Sequence, residues 1–207
     1  MVSTGRRFAE ILEAAERVGD RLGHEGLTMR SIAAEAGVVT TALYSEFGNK
    51  QGILEALNSR IRSEIARLLD SSAEIAGTTG DRLLRCCSAY VEFGLAHPWR
   101  YACAFGHDET SVTSGRCGAA ASTFVDRAAR YMDGGPKARE RALSIWVALH
   151  GLVTALLRDD SRSSHESLTQ PQHRFMQLYL RMLLRGSGVP RSDDRGTPAS
   201  QGCAPPE

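Results

Sequence analysis

Lysine is almost missing from this chain: only Lys50 and Lys137 stand among 25 basic residues, and 24 acids bring the formal net charge to +1. A balance so close to neutral excludes the broad basic surface that binds nucleic acid without regard to sequence. The shortage is sharper near the N-terminus. Between Met1 and Arg60 the basic residues are Arg6, Arg7, Arg17, Arg21, Arg30, Lys50 and Arg60. The acids there are Glu10, Glu13, Glu16, Asp20, Glu25, Glu35, Glu46 and Glu55, which outnumber them by one. Any cationic binding face in this segment must therefore be local. No apolar run approaches the ~20 residues of a membrane span. The opening MVSTGRRFAEILEAAE is broken by acids, unlike a secretory leader, so a cytoplasmic protein without a membrane partner is expected. Five cysteines (Cys86, Cys87, Cys103, Cys117 and Cys203) form no Cys-x-x-Cys pair and no zinc-finger spacing, which points to reduced thiols and to no metal or cofactor. Sustained strand alternation is missing as well.

What remains is helical periodicity, nearly unbroken, and it predicts an all-α chain of about nine helices. Phe8, Ile11, Leu12, Ala15, Val18 and Leu22 step by three and four along a first helix, which Gly23 and Gly26 end. Thr28 is placed to cap a second, short helix carrying Ile32, Ala33 and Ala36 inward, and Gly37 stops it because a tight turn needs positive φ. Thr40 or Thr41 opens a third short helix with Leu43, Tyr44 and Phe47, and Asn49 caps a long fourth one. Gly77–Gly80 breaks the pattern, and Pro98 closes the next helix ahead of a short aromatic segment. After a loop at 106–115, helices are expected over about 116–132, 137–159 and 167–185. From Gly186 the composition turns to Gly, Ser and Pro with almost no large apolar side chain, so residues 186–207 are expected to be disordered. The pattern divides the chain into 1–52, where the short helices lie, and 53–185, a larger helical part, and both are expected to be separate domains.

Two short helices joined by a glycine turn behind a supporting helix make a helix-turn-helix, whose second helix enters the major groove by its N-terminal side chains. The stretch Gly26-Leu27-Thr28-Met29-Arg30-Ser31-Ile32-Ala33-Ala34-Glu35-Ala36-Gly37-Val38 resembles the start of the DNA-binding domain of the TetR/AcrR family. Leu43-Tyr44-Ser45-Glu46-Phe47-Gly48-Asn49-Lys50 and Ile53-Leu54 continue the match in register, over about Phe8 to Leu57. The resemblance implies a homodimeric transcriptional regulator, a repressor by family default, whose partners are a palindromic double-stranded operator, a second copy of itself and a small effector. It implies that Thr28 caps the second helix with its amides and Arg30 toward phosphate, that Tyr44 and Lys50 reach the backbone, and that Thr40, Thr41 and Ser45 meet base edges or thymine methyls. Arg6 and Arg7 are candidates for an N-terminal arm. Two departures stand out: Val39 occupies a usual capping-serine position, which hands the cap to Thr40, and Glu46 puts an acid on the recognition helix.

Further along, Tyr90 to Tyr101 forms a helix ending in His-Pro before a short aromatic helix, and Trp146-x-x-x-His150-Gly151 resembles the Trp…His-Gly signature of one C-terminal subfamily. Spacing sets Trp146 and His150 one turn apart on one face. Tyr90, Phe93, Trp99, Tyr101, Phe105, Phe124 and Trp146 either line an apolar effector pocket with His150 as its polar fixing group, or pack as ordinary core. Gly151 would admit a close neighbour. The stripes Leu149, Val153, Leu156 and Leu157, then Phe175, Leu178, Tyr179, Met182 and Leu183, would pair the last two helices with their symmetry mates. An alternative is a metal- or thiol-sensing regulator using Cys86 with Cys87, or His107 with Cys103. A helical adaptor without DNA binding is a further one. An enzyme is disfavoured, since His97, His107, Asp108, His150 and the cysteines sit on different elements without an ordering motif.

Overall fold

The structure is a computed structural model describing residues 3–105, 119–132, 137–158 and 170–186. Among these residues lie nine helices and no strand: α1 (Ser3–Gly26), α2 (Met29–Ala36), α3 (Thr40–Phe47), α4 (Lys50–Glu74), α5 (Thr79–Ala96), α6 (Pro98–Phe105), α7 (Ala119–Arg130), α8 (Ala138–Leu157) and α9 (Gln170–Gly186). The expected loop at 106–115 and the tail beyond Gly186 lie outside the described residues.

Helix ends follow the capping chemistry. Thr28 Oγ1 accepts from the Ser31 amide at 3.0 Å while Ser31 Oγ accepts from the Thr28 amide at 2.9 Å, a reciprocal box that starts α2. Gly37 ends α2 in the left-handed region at φ 66°. Asn49 opens α4, its side-chain oxygen accepting from the Gly52 amide at 3.0 Å. Two expectations change. Gly23, at φ 67°, kinks α1 without ending it. Val39 is the residue before α3 and makes no side-chain cap, so Thr40 enters the helix without taking that role.

Two buried clusters share α4 as their spine. Ile11, Leu12, Ala15, Val18, Leu27, Ile32, Ala33, Leu43, Ile53 and Leu57 pack α1, α2, α3 and the start of α4. Phe8 and Leu22, at the two ends of the α1 stripe, are exposed, and Phe8 stacks on Phe47 of α3 at 4.7 Å. The second cluster begins with Ile61, Ile65 and Leu69 of α4 and continues through α5 to α9. There α8 is by length and composition apolar enough to cross a membrane, with mean hydropathy 1.3, against the expectation of no such run. The physical reason is local: Ile145, Trp146, Leu149, Leu152 and Val153 of α8 are buried in the packed body. Leu149 and Val153 are thus core of one protomer, not the outward stripe expected of them.

Helix α6 is short but ties the clusters together. The Arg100 guanidinium reaches Glu64 of α4 at 2.6 Å and Glu16 of α1 at 3.4 Å. The indole of Trp99 lies so close over Gly19 of α1 that a Cβ there would come within 2.2 Å of the ring.

Candidate DNA interface and effector pocket

On α3 the positions divide by helical spacing. Leu43 is fully buried and Phe47 is held against Phe8, which fixes how the helix rolls. The opposite side presents Thr41, Ser45 and Tyr44, the last 53% exposed. Thr40 is half-buried beside them. Val39, just ahead of the first turn, is 66% exposed. The sequence did not single it out as a candidate contact, though an apolar residue at a capping position with no place in any stripe was a signal for one. Such a side chain suits the methyl of a thymine.

The near-neutral charge of this unit resolves into internal pairing. Glu35 of α2 is gripped by Arg17 at 2.8 Å and Arg21 at 2.9 Å, and these two hydrogen bonds hold its carboxyl below the usual range. Arg60 turns to Glu13 and Glu16, and Arg6 to Glu10. Arg7 and Arg30 are exposed and make no ion pair among the described residues. Thr28 is exposed with the first amides of α2 around it. Lys50 is half-buried, and its ammonium donates to the His24 carbonyl at the end of α1 at 3.2 Å. Glu46 lies half-buried with one carboxylate oxygen enclosed, away from the fully exposed positions of α3.

The aromatic residues of the C-terminal part gather into one cluster. Trp146 and His150 stack at 5.0 Å, Tyr101 lies on His150 at 5.5 Å, and Phe105 meets both Trp146 and His150. Tyr90 touches Tyr101, Phe105 and Phe124 edge-on. A polar chain runs through these rings: the hydroxyls of Tyr90 and Tyr101 are 3.0 Å apart, and Tyr101 Oη lies 2.5 Å from His150 Nδ1. Burial pushes both phenols up, so they stay protonated and act as donors. With His150 Nδ1 as acceptor the donation runs from Tyr90 to Tyr101 to His150, and with the proton on Nδ1 it runs the other way. Beside them opens a cavity of about 290 Å³ lined by Tyr101, Ala102, Phe105, His150, Thr154, Leu157 and Arg158. Tyr90, Phe124 and Trp146 stand behind this lining. Phe93 packs on His97 at 5.3 Å, and Trp99 faces the α1 side of α6.

Cys86, Cys87 and Cys103 are buried. Burial pushes the Cys86 and Cys103 thiols up to about 11 and Cys87 higher still, away from the thiolate that redox or metal chemistry needs. His107 lies outside the described residues. Among the described residues no group of three His, Cys, Asp or Glu side chains is arranged to hold a metal ion.

Comparison with known proteins agrees with this geometry. Residues 11–57 match the family model of bacterial regulatory proteins of the tetR family. Residues 83–162 match a tetracyclin repressor-like C-terminal domain, a broader description than the Trp…His-Gly subfamily. An uncharacterized HTH-type transcriptional regulator of Mycobacterium tuberculosis is 30% identical over 148 residues, 69% of this chain and 66% of that protein's length. A TetR-family transcriptional regulator from Pectobacterium atrosepticum superposes with a TM-score of 0.69 at 21% identity, over 90% of this chain and 96% of the other. The regulator FadR from Bacillus subtilis, in complex with stearoyl-CoA, gives 0.64 at 17% identity over 86% and 98%. The last two show the same fold.

Proposed function

The chain belongs to the TetR family of transcriptional regulators, and from that premise we propose that it is a cytoplasmic, homodimeric repressor released from a palindromic operator by a small, mostly apolar effector. It is a DNA-binding regulator and not an enzyme. One observation carries the ligand-responsive reading: α6 joins the two ends. Its Tyr101 hydroxyl meets His150 at the effector cavity, while the neighbouring Arg100 pairs with Glu16 of α1 in the DNA-binding unit and with Glu64 of α4, the helix that both clusters share. An effector that displaces Tyr101 pulls on the helices that set the recognition helix. The stearoyl-CoA of the FadR neighbour supports an apolar ligand, with His150 and Arg158 at hand for its polar end.

Fluorescence anisotropy on labelled fragments from upstream of its own gene tests this. Binding should weaken steeply as salt rises, because phosphate contacts release counterions. If no fragment binds at low salt, the reading fails. Tyr44→Phe removes one hydroxyl aimed at phosphate, so affinity should drop about 3- to 10-fold for every operator variant alike. Lys50 must leave the His24 carbonyl to reach a phosphate, and Lys50→Ala should lower the salt slope by about one.

For the dimer, support comes from the outer faces of the last two helices. Val147 and Gly151 of α8 face out, as do Phe175, Leu178 and Met182 of α9, Met182 at 70% exposure. Nothing among the described residues lies within 4 Å of a Cβ added at Gly151. Leu178→Glu should convert the protein to a monomer by sedimentation and with it abolish operator binding. A dimer of unchanged stability would place the interface elsewhere.

A further inference from the structure

Between Val39 and Phe47 the chain carries no arginine, lysine, asparagine or glutamine. Those are the side chains that grip a guanine or adenine edge with two hydrogen bonds, so α3 lacks the strongest means of telling one base pair from another. Glu46, which could accept from a cytosine amine, is half-buried with one carboxylate oxygen enclosed, off the exposed row of Thr41, Tyr44 and Ser45. A serine or tyrosine hydroxyl both donates and accepts, so it meets either member of a pair without preference. Hydrogen bonds from this helix therefore carry little sequence information.

Apolar contact is what the helix offers in their place. Val39 is 66% exposed, more than any other large apolar side chain from α1 to α4. It stands at the N-cap of α3 in extended backbone, where its side chain makes no cap. Valine is among the poorest residues at that position, since it has no oxygen to offer the first amides. In the free protein Val39 thus gains neither burial nor a cap, and its surface is left for whatever α3 meets. Thr41, exposed in the first turn, brings a second methyl group.

The floor of the major groove holds one apolar group, the 5-methyl of thymine. We propose that α3 reads base methyl groups: Val39 and Thr41 each seat on the 5-methyl of a thymine, which makes Val39 a specificity-determining residue and a pair of thymines the signature of each half-site. Operator binding, as proposed above, is the premise, and the methyl contacts add which chemical feature of the operator is recognised. Valine has no group that senses the exchange of a carbonyl for an amine, so at its position 5-methylcytosine should serve as well as thymine.

The test starts with the full chain and a pool of randomised duplexes of about 30 base pairs, room for two half-sites one turn apart. Each thymine of the selected half-site is then changed to uracil, which removes the methyl and keeps every hydrogen-bonding group. One methyl group is worth about threefold in binding, so uracil in both half-sites at once should cost about tenfold at two positions and nothing at the rest. At one of the two, Val39→Ser should bind the thymine and uracil operators alike. Thr41→Ser, which keeps the hydroxyl and loses the methyl, should do so at the other. Val39→Ser supplies the missing cap, so its melting temperature should not fall. At the Val39 position 5-methylcytosine paired with guanine should bind like thymine, and plain cytosine like uracil. A selected operator indifferent to uracil at every position overturns the proposal and leaves operator binding standing. So does a uracil loss that either serine variant retains in full, or a 5-methylcytosine that binds no better than cytosine. A pool in which no sequence is enriched overturns operator binding and the methyl contacts together.

Discussion

Gly52→Ala, the addition of one methyl group, should cost this protein its operator. Gly52 sits in the first turn of α4, directly behind the end of α3, and a Cβ built on it comes to 2.0 Å from the Phe47 carbonyl oxygen. The obstacle is backbone, so no rotamer relieves it. That same oxygen accepts from the Asn49 amide at 2.8 Å, and the Asn49 side chain accepts from the Gly52 amide, so the turn between the helices is closed by both residues. The methyl group opens the turn and tilts α3 off the seat made by Leu43 and Phe47. Overpacking of this kind costs about 3 kcal/mol, which for a chain of this size lowers Tm by about 6–12 °C. Operator affinity should fall about 100-fold or more, because Thr41, Tyr44 and Ser45 all move together and each good contact is worth about 1–3 kcal/mol. Gly5→Ala is the matched control: it lies in α1 with open space around it and should leave both quantities within error. Wild-type melting and operator affinity in Gly52→Ala would show that the α3–α4 turn does not hold the recognition helix in place.

Gly52 also marks where sequence reading stops. The helices, the Thr28 and Asn49 caps and the Gly37 stop were legible because each is set by residues within four positions of one another. So was the pairing of Trp146 with His150, which one helical turn enforces. The direction in which α6 faces was not. Successive residues are 100° apart around a helix, so Trp99 and Tyr101 point nearly opposite ways, and a run of aromatics in eight residues does not say which goes where. Tyr101 reaches His150, whereas Trp99, read as effector lining, goes to Gly19. The same limit hid Leu149 and Val153 in the protomer's own core, since an apolar stripe looks alike whether it meets a neighbouring helix or a second copy. Charge counting could not show which residues pair: Glu13, Glu16 and Glu35 are taken by Arg60, Arg17 and Arg21, pairings that cross from one helix to another.

Arg100 is the most consequential of these cross-helix pairings, and Arg100→Met should destabilise the protein in a pH-dependent way. The Glu16 side chain is 12% exposed, as is that of Arg100. Burial raises the Glu16 carboxyl above its ordinary value, Glu64 nearby adds to this, and Arg100 and Arg60 hold it down. Removing the guanidinium takes away the cation between the Glu16 and Glu64 carboxylates and leaves Arg60, 3.3 Å from Glu16, to offset part of their repulsion. Loss of one partner from a buried pair costs about 3–5 kcal/mol, and the partial exposure of Glu64 brings the expectation here to about 2 kcal/mol, or a Tm lower by about 4–8 °C. The sign of the pH dependence follows from the direction of the shift. A carboxyl raised in the folded state favours folding in its protonated form, so its stabilising contribution is whole below the ordinary carboxylate range and is lost as pH rises through the raised value. Without Arg100 that value rises further. The deficit of Arg100→Met should therefore be largest at neutral pH and shrink on acidification toward the carboxylate range. Adding Glu16→Gln to Arg100→Met should recover most of the lost stability at neutral pH, because the amide carries no charge to strand. The functional readout is separate: with α6 no longer gripping α1 and α4, the effector should still bind beside His150 but release the operator less completely. A deficit that is flat with pH and untouched by Glu16→Gln would assign Arg100 to packing through its aliphatic stem, and would remove the charge cluster from the link between pocket and operator.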